Sequence, residues 1–600
     1  MRLVSATFHN YRTLRSVEVP FRPHTVIVGA NNSGKSSILD AIDGAFGLNR
    51  RGYGFSEQDV SPGSDLADGL SVRFEIRPDE GEPDFAPELV EIFGMHVDVG
   101  DVEGQRLFLR VVARQEDDGV FRTRMYFEKA DGLDDGSVSV AERQEIGFLL
   151  LRAVREGRRE FYERSGLWAK LSAAAPPSEE VAAELARAGE EFATSVLDKV
   201  LGSERREAIV GAVGDAMNTV LFAGDAVPEV TFTLVPADPD ETLRAVEVRI
   251  GVPGDAAPKP VSDHSVGTQS VAVVGLFSAY LDTVPRKPMA LGIEEPEAHL
   301  HPHATRAMVR RLSTAGLQTI VTTHSTSVTD AADPRSFVVL RRTTPGTVAH
   351  AVPPRLLGDV EAADIRRRIA EASTEFLFAR LVLLTEGPSE RAAFPLFAAR
   401  LGWDLDILGV SVTAVGGGSF KSFLKLLGSD ALDIPHVVVC DNDAAAKTLI
   451  GHLRELGRLP NGADPNDLAG SRAAMAREGF FYWADGALER VLLGAGLAPE
   501  FVAAIEEVYP GRLTKLARQW THTGPVEDAA FLERVVNSVS KPIVVRRVAE
   551  LMSDAGRPVP AEIEAVLAAV HERAIAQARV DAAAAPPAPD VAEAPSAGAS

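Results

Sequence analysis

Gly29-Ala30-Asn31-Asn32-Ser33-Gly34-Lys35-Ser36-Ser37 follows the apolar run Thr25-Val26-Ile27-Val28 and precedes Ile38-Leu39-Asp40-Ala41-Ile42. It fits the phosphate-loop pattern G-x-x-x-x-G-K-[ST] without mismatch. The flanks supply the required context: a β-branched run predicts a strand, and the apolar spacing after the loop predicts a helix. In such a loop the backbone N–H groups from Gly29 through Asn32 and Gly34 to Ser37 curl around phosphates. Lys35 brings positive charge to the outer phosphates, and the Ser36 hydroxyl is placed to reach a Mg²⁺ ion. The alternative is an ordinary Gly/Ser/Asn-rich turn. The flanking strand and helix favour a nucleotide site.

The chain has 600 residues, 45% of them hydrophobic and 24% charged, with a net charge of −23 and a single cysteine, Cys440. That length calls for two to four domains. One cysteine excludes an internal disulfide and a multi-cysteine zinc ribbon. No apolar run is long enough to span a membrane and no leader peptide is visible, so a cytoplasmic protein without membrane contact is expected. The acidic balance argues against indiscriminate coating of nucleic acid, although local basic patches remain compatible with DNA.

Alternation in Leu3–Phe8 and Val17–Phe21 predicts antiparallel strands before the loop, with Asn10-Tyr11-Arg12 between them either as a surface turn or within reach of the nucleotide. Val72–Ile76, Leu107–Val112 and Arg122–Phe127 read as meander strands. From about Ile146 the pattern reads as helical: Phe148-Leu149-Leu150-Leu151 runs into Arg155, Arg158 and Arg159, and a second helical stretch spans Glu179–Val220 beyond Pro176-Pro177. Sustained heptads are absent, which argues against long coiled-coil arms. The arginine cluster reads either as a contact to DNA or a partner, or as a solvated helix face. Strand character returns at Glu229–Leu234 and Ala245–Ile250. Ser265-Val266-Gly267-Thr268-Gln269 then leads into an apolar helix, Val271–Tyr280. Met289–Ile293 is a buried strand ending in Glu294-Glu295-Pro296-Glu297-Ala298-His299-Leu300-His301-Pro302, and Thr319–Thr323 is another, ending in His324-Ser325.

In this order, the motifs resemble the SMC/RecF-like branch of ABC-type ATPases, and within it the OLD (overcoming lysogenization defect) family. The resemblance implies that Glu294 holds the magnesium shell, Glu295 orients or deprotonates the attacking water, and His324 senses the γ-phosphate. It also implies that Ser265 and Gly267, at a helix start, face the ATP of another subunit, hence a homodimer or higher homo-oligomer.

Farther on, Glu371–Ala379 reads as a helix after a loop-rich passage. Leu381–Thr385 is a strand closed by Glu386, and Glu390 falls in the first turn of the helix that follows. A strand over Ile407–Val415 breaks at Gly416-Gly417-Gly418 before a helix, Phe420–Leu427. His436–Cys440 is a strand closed by Asp441-Asn442-Asp443. Residues i and i+2 of an extended chain face the same way, so both aspartates can converge on one metal pair. Cys440 reads as a small core hydrophobe. The ordered pair E-x-x-x-E and D-x-D, each closing an apolar strand, resembles a Toprim domain, which in the OLD family follows the ATPase. The resemblance further implies Glu489 as an additional carboxylate, the equal alternative being an exposed helix residue, with Ala487 unable to supply the hydroxyl sometimes found there. It also implies Lys541, at the helix start Ser540-Lys541-Pro542, as a basic residue near the scissile phosphate, where by itself it reads as an ordinary surface lysine.

The expected fold class is therefore α/β: an ABC-type P-loop ATPase with a helical insertion for dimerisation, then an α/β Toprim domain. Its expected parts are 1–145 and 223–355 for the ATPase, 146–222 for the insertion, 356–377 for a linker, 378–549 for Toprim, 550–581 for a C-terminal helix, and 582–600 for a disordered tail of Ala, Pro, Ser and Gly. The expected function is an ATP-hydrolysing DNA endonuclease using ATP, Mg²⁺ at the ATPase site and two divalent cations, Mg²⁺ or Mn²⁺, at the Toprim site, in phage defence or DNA repair. The alternatives are an ATP-switched scaffold binding DNA or a partner, such as a helicase encoded nearby, and a topoisomerase or primase.

Overall fold

A computed structural model describes residues 1–48, 53–100, 104–153, 249–250, 259–273, 288–313, 316–344, 346–416, 420–464 and 466–583, with single helical positions between 184 and 207. The expected strands Glu229–Leu234 and most of Ala245–Ile250, the helical stretch Glu179–Val220, the cluster Arg155, Arg158 and Arg159, the Pro176-Pro177 pair, the later part of the helix Val271–Tyr280, Gly417-Gly418 and the tail beyond Ala583 lie outside the described residues. The chain divides into one compact unit of residues 1–143 with 318–600, and a second of residues 144–317.

In the first unit, period-two alternation builds an antiparallel sheet in the order Leu14–Pro20, Arg2–Tyr11, Leu70–Arg77, Gly104–Gln115, Phe121–Glu128 and Asp134–Ser137. The strand Leu70–Arg77 shows why: Leu70, Val72, Phe74 and Ile76 are buried while the residues between them are half-buried. Beside it lies a mixed sheet with the loop strand His24–Gly29 at its centre. That strand pairs in parallel with Gln318–Thr322 on one side and Phe337–Thr343 on the other, and Phe337–Thr343 pairs antiparallel with Gly346–Ala351. Burial on both faces explains the continuous Val26-Ile27-Val28 run.

The same unit carries a wholly parallel sheet in the order Val410–Ala414, Leu381–Thr385, His436–Cys440 and Phe480–Tyr482. A single core joins it to the loop-strand sheet: Val26, Val28, Phe337 and Val339 pack in one cluster with Ile365, Phe376, Val382, Leu384 and Phe423. Each fully buried apolar side chain of this size contributes about 1.5–3 kcal/mol relative to exposure. The two sheets are thus bound through packing as well as through the chain.

Three expectations change. Phe148–Leu151 is a strand, paired in parallel with Ala290–Ile293 within the second unit, where a helix was expected. A four-residue apolar run carries no period of its own, so the pairing partner decides its conformation. The passage 356–377 contains a helix, Asp359–Ala372, and the expected helix Glu371–Ala379 is the end of it: Ser373 at φ 73° breaks the helix, and a 3₁₀ turn covers Glu375–Leu377. The strand expected from Ile407 begins at Val410, because Asp404 caps a short helix Leu405–Leu408 that Gly409 ends at φ 69°. Among the described residues no helix is long and apolar enough to cross a membrane.

Candidate functional site

The phosphate loop has the strand-to-helix context its sequence requires, with His24–Gly29 before it and a helix Lys35–Phe46 after it. Gly34 stands at φ 101°, and a Cβ there would lie 2.8 Å from Leu14 Cδ2 and 2.9 Å from Thr13 Oγ1, so glycine is required by both torsion and space. The Lys35 ammonium is buried and donates to the carbonyl oxygens of Gly29 and Ala30, each at 2.9 Å, while Asn32 and Ser36 are exposed. Thr323 N donates to Ile27 O at 3.2 Å, which puts the exposed His324 at the same strand ends as the loop. Arg12 is committed to the fold: its guanidinium reaches Asp40 and Asp59, both at 2.8 Å, and, against the lowering effect of burial, Tyr11 and the hydrogen bonds to the two aspartates hold its pKa above the ordinary range. The Asn10-Tyr11-Arg12 turn therefore braces the helix after the loop.

In the second unit, Ala290–Glu294 ends with Glu294 and Glu295 half-buried, and Glu295 adopts φ 40°, a left-handed conformation rare for a side chain of this kind. Such backbone outliers concentrate where geometry serves function. Ser265 precedes a helical turn over 266–273; its Oγ accepts from Thr268 N at 3.3 Å. A Cβ on Gly267 would stand 2.8 Å from the His299 carbonyl, so this position also demands glycine.

The carboxylates form one cluster at the C-terminal ends of the parallel strands, where open α/β sheets bind ligands. Asp441 N donates to Glu386 Oε2 at 2.9 Å, and Asn442 ties the strand end to the next loop through its N–H to Gly486 O at 2.8 Å and its Nδ2 to Ala484 O at 2.8 Å. That loop opens the helix Leu488–Gly494, whose first turn carries Glu489, 4% exposed. Lys541 begins the helix Lys541–Asp554, and its Nζ lies 3.7 Å from Glu489 Oε1.

Burial and mutual repulsion raise these acids. Glu390, 5% exposed, is pushed up to about 8 by desolvation and by Asp441, Glu489 and Glu386. Asp441 rises to about 7, first from desolvation and then from Glu386, Glu489 and Asp443, with Lys541 opposing. Glu386 is also raised, chiefly by burial. Asp443 divides its role, because Oδ1 accepts from Ala445 N at 2.7 Å and caps the helix Ala444–Glu455. The Cys440 thiol is buried and raised well above its usual value by burial, in keeping with a core residue.

Does this donor set fit a divalent cation? Its ligands are all carboxylate oxygens, the hard donors that Mg²⁺ and Mn²⁺ take. Asp441 Oδ1 is buried without a hydrogen-bond partner, and the crowded negative charge is what a cation would relieve. Among the described residues no group of three or more His, Cys, Asp or Glu is drawn close enough to hold an ion as it stands, so the carboxylates line a site without yet enclosing one.

The sequence reading missed the residues that support this site. Asn442 carries no role in the sequence pattern, which draws only on the aspartates either side of it. The linkage of Asp330 to Thr374 has no local signal, since the residues are far apart in sequence: Asp330 Oδ1 accepts from Thr374 N at 2.9 Å and from Thr374 Oγ1 at 2.6 Å, and Thr329 Oγ1 contacts Thr374 Oγ1. It joins the short helix after His324-Ser325 to the entry of the parallel-sheet domain.

Residues 25–330 match the family described as AAA domain, putative AbiEii toxin, Type IV TA system. Residues 377–443 match the overcoming lysogenization defect protein-like TOPRIM domain. The chain is 28% identical over 464 residues to the OLD nuclease of Thermus scotoductus, covering 72% of this chain and 80% of that protein. It is 23% identical over 501 residues to the Old nuclease of Escherichia phage P2, covering 76% and 80%. Among solved structures, the C-terminal region of the Xanthomonas campestris pv. campestris OLD protein is 30% identical, covers 34% of this chain and 98% of its own, and gives a TM-score of 0.29.

Proposed function

We propose that this chain, which belongs to the AAA domain, putative AbiEii toxin, Type IV TA system family and carries an OLD-like TOPRIM domain, is an ATPase and a metal-dependent nuclease whose substrate is DNA. The observation that carries the proposal is the carboxylate cluster at the parallel strand ends, with its raised acids, its unpartnered Asp441 oxygen and Lys541 set against Glu489. The family match and the two nuclease relatives support it.

Glu386, Glu390, Asp441, Asp443 and Glu489 are the residues that would hold two divalent cations, Mg²⁺ or Mn²⁺. When bound, such a pair supplies an activated water and charge stabilisation at the leaving oxygen of a phosphodiester. The chain's own residues do the rest. Raised acids release protons as cations arrive, Asn442 fixes the loop that presents Glu489, and Lys541 holds positive charge where a phosphate must pass.

For the nucleotide, Gly29, Asn32, Gly34, Lys35, Ser36 and Ser37 would bind the phosphates of ATP, with Ser36 toward Mg²⁺ and His324 toward the γ-phosphate; of the second unit's residues, Glu294 would serve the magnesium shell and Glu295 the attacking water. Ser265 and Gly267 complete the site of a second copy, which makes the working unit a dimer. The Asp330–Thr374 linkage gives the His324 segment a physical route to the nuclease domain. A role in phage defence, where DNA cutting must be held in check, suits an enzyme gated in this way.

The test is plasmid cleavage with Mg²⁺ or Mn²⁺, with and without ATP. Nicked or linear product is expected from the wild type and none from Glu386→Ala or Asp441→Ala. Equal cutting by all three refutes the assignment, relaxed closed circles point to a topoisomerase, and DNA binding without cutting under any metal points to a scaffold.

A further inference from the structure

We propose that the helix Arg512–Gln519, with Trp520 and Arg534 beyond it, is a track for the sugar-phosphate backbone of duplex DNA leading away from Lys541. This rests on the nuclease reading and adds to it the surface that holds the substrate.

The chain carries a net charge of −23, so a cluster of uncompensated cations is a departure to be explained. Around the metal-site helices most cations are neutralised. Arg490 pairs with Asp485 and Glu533, Arg546 with Glu550, Arg547 with Glu507 and Glu550, and Arg557 with Glu500. Arg512, Lys515, Arg518 and Arg534 take part in none of the ion pairs among the described residues. Of the acids nearest in sequence, Glu506 accepts from Gly511 N at 2.9 Å, Glu507 pairs with Arg547, and Asp528 Oδ1 caps a helix by accepting from Phe531 N at 2.9 Å, while Glu527 is exposed.

Three of these cations share one helix. Arg512, Lys515 and Arg518 recur at intervals of three on one helix whose buried residues are Leu513 and Leu516, and Lys515 and Arg518 are exposed. The Arg534 guanidinium lies 4.6 Å from the ring centroid of Trp520, the residue that ends the helix, so a further exposed cation is held on an aromatic face just past the helix end. From Arg512 to Arg518 the helix rises about 9 Å, which is the axial rise of roughly three phosphates on one strand of a duplex.

The track also begins at the site. Arg512 is half-buried; its Nη2 donates to Ser538 O at 3.2 Å and Ser538 Oγ at 3.4 Å, and its Nε is buried without a partner. Tyr509 Oη accepts from Ser540 N at 3.3 Å. The turn gripped by these two residues ends at Lys541, whose ammonium faces Glu489. A polyanion threaded past Lys541 therefore meets Arg512 next, then Lys515 and Arg518. This continuity with the carboxylate site selects a nucleic-acid backbone over an anionic membrane or an acidic protein.

The experiment measures binding of a fluorescent linear duplex by the full chain in EDTA across a salt series. The double variant Lys515→Gln/Arg518→Gln removes two exposed charges. Loss of two phosphate contacts should reduce the slope of log K against log salt by about 1.8 and weaken binding at physiological salt, while ATP turnover and melting temperature stay unchanged. Arg546→Gln, which removes an exposed cation already paired with Glu550, should leave the slope as in the wild type. An unchanged slope in the double variant, or an equal change in Arg546→Gln, overturns the track and leaves the nuclease reading standing. A wild type that binds no duplex at any salt overturns the track, and one that in addition cuts no plasmid with Mg²⁺ or Mn²⁺ overturns both.

Discussion

Glu390→Gln should make the metal-free protein more stable above neutral pH and at the same time remove its stabilisation by metal. Glu390 is 5% exposed and crowded by three other acids, which raises its carboxyl from the usual 4.5 to about 8. A carboxyl raised on folding keeps a proton that the unfolded chain has released. Folding stability therefore falls as pH rises from about 4.5 and levels off above about 8. At roughly 1.4 kcal/mol per pKa unit the full penalty is on the order of 5 kcal/mol. Glutamine keeps the shape without the charge, so the variant and wild type should melt together near pH 4.5 and diverge steadily upward in pH. For a transition involving a domain of this size, the gap at pH 8.5 is on the order of 10 °C. The assay is differential scanning calorimetry of the full chain in EDTA from pH 4.5 to 9, repeated with Mn²⁺. Mn²⁺ should raise the melting temperature of the wild type and leave Glu390→Gln nearly where it was. A variant no more stable than wild type at pH 8.5 without metal would refute the crowding argument, and equal stabilisation by Mn²⁺ would remove Glu390 from the ligand set.

The half-maximal Mn²⁺ concentration for cleavage should fall as pH rises toward about 8, up to tenfold per unit for each proton displaced, because Asp441 and Glu390 must ionise to bind; a pH-independent value would contradict the raised acids. Lys35→Ala should lower steady-state ATP hydrolysis by about 100-fold or more, as expected when a charge aimed at the transferring phosphate is lost, with the calorimetric profile of the carboxylate domain preserved. Asp330→Ala leaves both donors of Thr374 without their acceptor, at a cost of about 1–3 kcal/mol. Cleavage by that variant should lose its response to ATP while its metal-dependent cutting persists; an unaltered ATP response would show that this linkage carries no signal.

Much of this was legible in the sequence because it is local. The loop Gly29–Ser37, the strand ends at Glu294, His324, Glu386 and Asp441, and the capped helix starts each depend on a handful of adjacent residues whose chemistry and spacing admit few conformations. The helix Phe420–Leu427 and the strand His436–Cys440 fall where their apolar pattern predicts. Phe148–Leu151 was misread because four consecutive apolar residues satisfy a strand or a buried helix equally, and only pairing with Ala290–Ile293 distinguishes them.

By itself, then, the sequence determined the kinds of groups present and their attachment to strand ends, through torsional preference and side-chain period. Tertiary structure alone decided what those groups became. It buried Glu390 among Asp441, Glu489 and Glu386 and so raised its pKa; it divided Asp443 between a helix cap and the cluster; it tied Asp330 to Thr374 and set Lys541 against Glu489. The physical reason is that desolvation and Coulomb repulsion depend on distance through space, which packing sets and sequence separation does not.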